Sequence, residues 1–217
     1  GLSCIDIFML HEQESMLTLK GHRPALEYLL DAKQKGYVKA IGISTHSVQG
    51  VLAGAQSPEI EVIHPLINIR GLGIMDGSRE QMLAAIRYAR LKGKGIYAMK
   101  VMGGGNLNRE ALSAFHYVAQ NKNVDSMAIG MKSRAEIDLN IAWAEGRRVI
   151  ELEQSVANQE KHLLIESWCE NCGQCLEHCR YQALQFNSQG LLEVKKEACL
   201  LCGYCARYCP NFCIKIV

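Results

Sequence analysis

Cysteine is the residue type whose spacing most clearly implies chemistry in this sequence of 217 residues. Eight of the ten cysteines form two runs with the same C-x2-C-x2-C-x3-C spacing. The runs consist of Cys169, Cys172, Cys175 and Cys179, and of Cys199, Cys202, Cys205 and Cys209. Disulfide scaffolds are usually short secreted chains, and this chain is neither short nor visibly secreted. Thiolates that bind metal in a reducing cytoplasm therefore explain these cysteines better than disulfides do.

The spacing predicts iron–sulfur clusters rather than zinc. Zinc sites typically take four ligands from two C-x2-C pairs, and a third cysteine at the same interval has no use there. The run is that of bacterial ferredoxins, in which the fourth cysteine of each run binds the other cluster. Three cysteines at this interval wrap a loop around three irons of a cube, so the fourth iron needs a more distant ligand. We therefore expect two [4Fe-4S] clusters. Their ligands are Cys169, Cys172, Cys175 and Cys209 for one, and Cys199, Cys202, Cys205 and Cys179 for the other.

Two residues near the runs lie outside this pattern. Pro210 follows the second run, whereas Arg180 stands where the ferredoxin pattern usually has proline. This exchange leaves the ligands intact and is expected to affect the local turn or the reduction potential. Cys213 does not fit the spacing, and we interpret it as a small buried residue rather than a ligand.

The residues before the cysteines must supply the larger scaffold. Short apolar runs alternate with helical patterns there, which is typical of parallel β/α units. The predicted strands are Ile5–Leu10, Val38–Ser44, Val62–Ile67, Gly95–Val101 and Ser126–Gly130. Ser78 with Gln81 and Ser133 with Glu136 predict capping boxes at two helix starts. The glycines of 103–105 would let the backbone approach a ligand closely, or would simply form a loop.

Four segments, in order along the chain, resemble the aldo/keto reductase family: Ile5–His11, Gly36–Ser44, Val62–Asn68 and Met131–Asn140. The resemblance implies a (β/α)8 barrel with its active site at the C-terminal ends of the strands. The five predicted strands match the fourth to the eighth strand of that barrel. A branch of the family carries a C-terminal ferredoxin-like domain. We therefore predict a partial TIM barrel over residues 1–146, a helical connector over 147–165 and a small α+β ferredoxin-like domain over 166–217.

The resemblance also implies site residues. His11, just past the first strand, corresponds to the catalytic histidine, which orients the substrate carbonyl and stabilises charge on its oxygen. Ser44 and His64 fall where the family contacts the nicotinamide carboxamide, although His64 replaces a glutamine. Met99 falls where many members stack a tyrosine on the nicotinamide, so a standard pose of that ring is in question.

A second set of implied residues concerns the adenosine end of NADP. Lys132 and Ser133 open the last barrel helix, and a helix N-terminus offers N–H groups and positive dipole to a phosphate. Ser133 would act as a plain N-cap without any ligand, and both roles are compatible. Asn140 matches a family contact with adenine.

The family's catalytic Asp, Tyr and Lys lie on strands that have no counterpart here. The earliest tyrosine, Tyr28, lies inside a predicted helix and cannot replace the catalytic one. We therefore expect this chain to be the C-terminal part of a longer protein. The missing strands would come from upstream sequence or from another chain.

Composition excludes several classes of function. The net charge is +2 and no basic run is present, which argues against nucleic-acid binding. No apolar stretch approaches the ~20 residues that span a bilayer, and no signal peptide is recognisable. The prediction is a cytoplasmic oxidoreductase of the aldo/keto reductase type, acting on a small carbonyl substrate with NADP. Its two clusters would exchange electrons with a ferredoxin-like or other redox partner, and catalysis by this chain alone would be incomplete. The alternative is a non-catalytic electron-transfer or interaction protein, which the absent catalytic residues and Met99 favour.

Overall fold

The computed structural model describes residues 3–217, which form an α/β protein of two compact units. The first unit runs to Val101 and includes Gln120–Ala128. The second contains Met102–Ala119 and Ile129–Val217. This division reflects compactness, and the domain boundaries predicted at residues 146 and 165 stay predictions. No helix in residues 3–217 has the length and apolar character needed to cross a bilayer.

The first unit is built on a five-stranded parallel sheet with the order β1-β2-β3-β4-β5. The strands are β1 (Ile5–Leu10), β2 (Val38–Thr45), β3 (Val62–Pro65), β4 (Gly95–Ala98) and β5 (Ser126–Met127). All five predicted strands are therefore confirmed, although β3, β4 and β5 end earlier than predicted. Parallel strands that are covered on both faces read as continuous apolar runs, which explains why the sequence shows them clearly.

Four helices of the first unit connect these strands: α1 (Met16–Gly21), α2 (Arg23–Gln34), α3 (Val48–Gln56) and α4 (Arg79–Leu91). Ser78 and Gln81 form the predicted capping box at the start of α4. The central strands carry the buried core of the sheet, with Ile41, Ile43 and Ile63 at 0% exposure. β1 is different, because Ile7 and Phe8 are 42% and 43% exposed and β1 is an edge of the sheet.

The second unit is a mixture of helices and short antiparallel strands. Its helices are α5 (Ala111–Ala119), α6 (Arg134–Ala144), α7 (Ile150–Ala157) and α8 (Gln174–Glu177), with 3₁₀ helices at Asn108–Glu110 and Tyr204–Tyr208. Its strands are β6 (Leu163–Ile165), β7 (Leu184–Phe186), β8 (Leu192–Val194) and β9 (Ile214–Ile216). β6 pairs with β9 and β7 pairs with β8. The segment predicted as a helical connector thus contains α7 and ends in β6.

The glycines at 103–105 pack against β9, the C-terminal strand of the second unit. All three have positive φ, and Gly104 accepts a hydrogen bond from the Ile216 N–H at 3.0 Å. A Cβ at Gly105 would lie 1.8 Å from the Ile216 carbonyl oxygen. The neighbouring Asn106 donates to the Ile214 carbonyl at 2.9 Å. The close approach that these glycines permit is therefore to β9.

Replacing Gly105 by alanine should destabilise the second unit strongly. The matched control is Gly146→Ala, because Gly146 also has a positive φ but a Cβ there meets nothing within 4 Å. The control should cost only the ~1–2 kcal/mol of left-handed strain, whereas Gly105→Ala should cost on the order of 4 kcal/mol. Unfolding midpoints and limited proteolysis of the C-terminal strand measure the difference. Equal effects of the two substitutions would contradict this packing of β9.

Candidate functional site

The C-terminal ends of β1 and β2 bring His11 and Ser44 together. The His11 Nδ1 lies 2.9 Å from the Ser44 Oγ, which also accepts a hydrogen bond from the Glu12 N–H at 3.0 Å. A hydroxyl that accepts from Glu12 can still donate its one proton to the Nδ1. In that arrangement the His11 proton resides on Nε2, which then can donate to a carbonyl oxygen. Ser44 is 5% exposed, so this contact is held rigidly.

Two residues that the sequence analysis did not single out fix this loop. Glu12 has a φ of 49°, and its carboxylate accepts from the His46 N–H at 2.9 Å. Gln13 is 1% exposed and donates to the His11 carbonyl at 2.8 Å. Its backbone N–H donates to the Ser44 carbonyl at 2.8 Å. The sequence signal available was only a glutamine shortly after a strand, since its burial appears in the structure alone.

His64, at the end of β3, lies in the same part of the first unit. Its Nδ1 donates to the Tyr97 carbonyl, and its ring stacks on the Tyr97 ring with centroids 4.5 Å apart. Burial lowers the pKa of His64, and the positive charge of Lys100 lowers it further, against the bond to Tyr97. His64 is therefore neutral near pH 7, with Nε2 free of a proton. Such a nitrogen accepts hydrogen bonds, whereas the glutamine it replaces could also donate them.

A cavity of about 440 Å³ opens between these residues. Its lining consists of Ile7, Phe8, Met9, His11, Ser44, His64 and Met99. Three predicted site residues therefore share one cavity, whose other walls are apolar. Met99 provides a thioether where the resemblance would place a stacking aromatic ring.

The predicted phosphate-binding turn lies in the second unit, at the start of α6. Ser133 is the N-cap of α6 and accepts from the Glu136 N–H at 3.2 Å. The Glu136 carboxylate accepts from the Lys132 N–H at 2.7 Å, so it does not close the predicted capping box on Ser133. The Lys132 N–H thus already has a partner within the turn, whereas the Ser133 hydroxyl acts there as an acceptor.

The segment after α7 covers this turn. Gln159 donates from its side chain to the Ser133 Oγ at 2.8 Å. The Lys132 Nζ donates to the Glu160 carbonyl at 3.3 Å. Asn140 donates to the Glu136 carbonyl at 2.7 Å, while its Oδ1 is buried without a partner among the described residues. The side chains of Ser133 and Lys132 thus both contact the segment after α7, and their role in binding the phosphate of NADP stays a prediction.

The two cysteine runs adopt the same backbone conformation, thirty residues apart in sequence. Positive φ angles recur in pairs at corresponding positions. The pairs are Asn171 with Leu201, Gly173 with Gly203, and Gln182 with Phe212. The last cysteine of each run also accepts an N–H from four residues later, at 3.3 Å for Cys179 and 3.1 Å for Cys209. The sequence repeat is therefore a structural repeat.

The first thiol group surrounds Cys175, which is 4% exposed. Burial raises the pKa of Cys175 to about 11, and the neighbouring thiols that add to the increase are Cys209, Cys169 and Cys172. Three of these four cysteines belong to the first run, and Cys209 is the last cysteine of the second run. The group thus has the composition that the spacing predicted for one cluster.

The second thiol group surrounds Cys205. Burial raises the pKa of Cys205 to about 12, and Cys175, Cys202, Cys179 and Cys199 contribute as neighbours. Cys179 comes from the first run, and Cys175 marks the place where the two thiol groups adjoin. Cys179, Cys199, Cys202 and Cys205 all line a single cavity of about 160 Å³. That volume far exceeds the ~10–15 Å³ that one water molecule requires.

These thiols do not converge on a point. Within residues 3–217, no three His, Cys, Asp or Glu side chains are placed to hold a single metal ion. A [4Fe-4S] cluster makes a different demand, because its four thiolates ligate the corners of a cluster rather than one ion. The cavity of about 160 Å³ fits that demand, because four cysteines line it.

Comparison with known families agrees with the parallel sheet and the loop at His11. The sequence profile of the Aldo/keto reductase family matches residues 1–172. The chain belongs to the aldo/keto reductase family. The matched range includes His11, Ser44 and His64, which line the cavity. It also includes Lys132 and Ser133 at the turn.

Solved structures of aldo-keto reductases share the fold. One described as an aldo-keto reductase from Pseudomonas aeruginosa has a TM-score of 0.53 at 20% identity, covering 66% of this chain and 52% of its own. An aldo-keto reductase from Bacillus halodurans in its holo form has a TM-score of 0.51 at 17% identity, covering 71% of this chain and 60% of its own. This chain therefore spans little more than half the length of these reductases. At such identities the likeness shows the fold alone.

Proposed function

We propose that this aldo/keto reductase family chain is an oxidoreductase with a fused electron-transfer domain, which carries two [4Fe-4S] clusters within residues 166–217. The observation that carries the proposal is the crossed composition of the two thiol groups. Each group combines three cysteines of one run with the last cysteine of the other, as two-cluster ferredoxins require. When bound, the clusters would accept and release single electrons. The protein's own thiols hold them, and the N–H donors to Cys179 and Cys209 stabilise charge on sulfur.

We also propose that the five-stranded sheet is the part of a TIM barrel that spans its fourth to eighth strands. The chain covers about half of the reductases it matches, and β1 is an edge strand with exposed apolar side chains. A closed barrel needs its full set of strands. Upstream sequence or a second chain would pair with β1 and complete the barrel.

Within such a barrel His11 would orient a small carbonyl substrate at the cavity it shares with Ser44 and His64. Hydrogen bonding from Nε2 would stabilise charge that develops on the carbonyl oxygen. NADP(H) is the expected hydride carrier of this family. Ser133 and Lys132, which the resemblance assigns to its phosphate, contact Gln159 and Glu160 in this arrangement.

A second candidate function is electron transfer without carbonyl chemistry. The contacts of Gln159 with Ser133 and of Glu160 with Lys132 favour it, because they occupy the turn where the family binds its cofactor. The two candidates share the clusters and differ in what the first unit does.

Metal analysis of the whole chain tests the proposed clusters. Protein reconstituted anaerobically with iron, sulfide and an equal amount of zinc should bind about eight irons and about eight sulfides. Its visible absorbance should bleach on addition of dithionite. Stoichiometric zinc, or four irons or fewer after complete reconstitution, would overturn the proposal.

A further inference from the structure

The surface beside the second thiol group carries a concentration of positive charge. Five exposed basic residues form this surface, which we call the basic face: Arg109, Arg180, Lys195, Lys196 and Arg207. Two acidic residues adjoin them in sequence, Glu110 after Arg109 and Glu197 in the segment that leads into Cys199. Basic residues therefore outnumber acidic ones by three near the cavity that Cys179, Cys199, Cys202 and Cys205 line.

Contacts and sequence position place the three arginines near the cavity of about 160 Å³ beside the second thiol group. Arg180 lines the cavity, and its guanidinium lies 5.4 Å from the centre of the Tyr204 ring. Arg207 belongs to the 3₁₀ helix that begins at Tyr204. Arg109 donates to the carbonyl of Leu200 at 2.6 Å, and Leu200 also lines the cavity.

The two lysines precede the first cysteine of the second run. The Cys199 N–H lies 3.1 Å from the carbonyl oxygen of Lys195 and 3.3 Å from that of Lys196. Both lysines are exposed, so their ammonium groups extend into solvent next to the loop that bears Cys199 and Cys202. Leu200 and Tyr204, 49% and 41% exposed, add apolar surface between the charges.

The corresponding surface at the first run has the opposite charge. Residues 166–178 contain Glu166, Glu170 and Glu177 and no lysine or arginine. The residue after the last cysteine also differs between the runs, because Arg180 follows Cys179 and Pro210 follows Cys209. Charge is thus distributed asymmetrically over the ferredoxin-like segment, and its basic residues lie at the second thiol group.

We propose that the basic face docks a small acidic iron–sulfur protein, which reduces the second cluster. The proposal rests on the clusters proposed above. One electron would leave the reduced centre of the partner and enter the second cluster, with no bond or proton transferred. Opposite charge on two surfaces steers their encounter and raises association rates by 10- to 10³-fold at low salt. The exposed Tyr204 and Leu200 provide the apolar contact that charged surfaces lack.

Stopped-flow reduction of the holoprotein by an acidic [2Fe-2S] ferredoxin tests this docking. The double variant R180E/R207E should lower the second-order rate constant at low ionic strength by on the order of tenfold or more. The control R87E/R147E makes the same change in net charge at exposed arginines outside the basic face, and it should change the rate much less. Added salt should slow the native protein and bring the native and R180E/R207E rates together.

A second variant protects the test, since Arg180 adjoins a cysteine ligand. K195E/K196E leaves Arg180, the neighbour of Cys179, unchanged. It should slow reduction of the second cluster in the same salt-dependent way. Equal slowing by the control, or a rate that salt does not affect, would overturn the docking proposal. A difference that persists at high salt would also overturn it, because it would reflect a changed cluster potential. Iron content and reduction by dithionite are measured first, and their failure in the native protein would overturn the cluster proposal itself.

Discussion

Replacing Cys179 and Cys199 together by alanine should leave one intact [4Fe-4S] cluster, whereas replacing Cys169 and Cys179 together should leave none. Cys179 and Cys199 both neighbour Cys205 in the second thiol group, so their joint loss damages only that site. Cys169 belongs to the group around Cys175, so the second pair of substitutions removes a ligand from each site. The two double variants have the same number of cysteines, and each controls for the other.

Counting intact four-iron clusters by Mössbauer spectroscopy, and by electron paramagnetic resonance of the reduced protein, measures the outcome. If each run served its own cluster, the results would be reversed, with C179A/C199A losing both clusters and C169A/C179A losing one. Cys213→Ala provides a further control, because its thiol lies outside the spacing of the two runs, although both its backbone N–H and its side chain contact Cys209. That variant should keep both clusters.

The repeat in the cysteines and the five strands could be read from sequence because each depends on short-range spacing. The strand ends could not be read as well. β3 ends at Pro65, which has no N–H to donate, although the N–H groups of Leu66 and Ile67 still donate to the carbonyls of Thr45 and Met99. Lys100 has a φ of 59°, which ends the extended conformation that the apolar run to Val101 had indicated.

Contacts between residues distant in sequence were the other source of error. Gln159 reaches Ser133 across 26 positions, and Asn106 reaches Ile214 across 108. Local patterns identify Ser133 as a helix N-cap and the 103–105 glycines as a loop, and both statements hold. They do not reveal that Gln159 contacts the Ser133 hydroxyl or that β9 packs against the glycines. The interpretation of the turn as a phosphate site stays a prediction, and the contacts of Gln159 and Glu160 with it could not be read from the pattern.

This chain alone should catalyse little or no NADPH-dependent reduction of an aldehyde, while its clusters still accept electrons. In this family a tyrosine delivers the proton to the carbonyl oxygen, and that tyrosine belongs to a strand without a counterpart here. General acid catalysis contributes about 10²–10⁴-fold, and it requires the donor within hydrogen-bonding distance. His11 shares its cavity with Ser44, His64 and apolar side chains, and no tyrosine is among the residues that line it.

Two assays on one anaerobic sample measure this prediction, namely cluster bleaching by dithionite and aldehyde-dependent oxidation of NADPH. Complete bleaching with turnover at least ~10²-fold below that of a family member with a closed barrel is the expected result. Robust aldehyde turnover by the chain alone would contradict it, since some other group would then have to supply the proton. In a protein that includes the missing strands, His11→Ala should lower aldehyde turnover and leave the iron content unchanged. That separation follows from the structure, because His11 lies in the first compact unit and every predicted cluster ligand lies in the second.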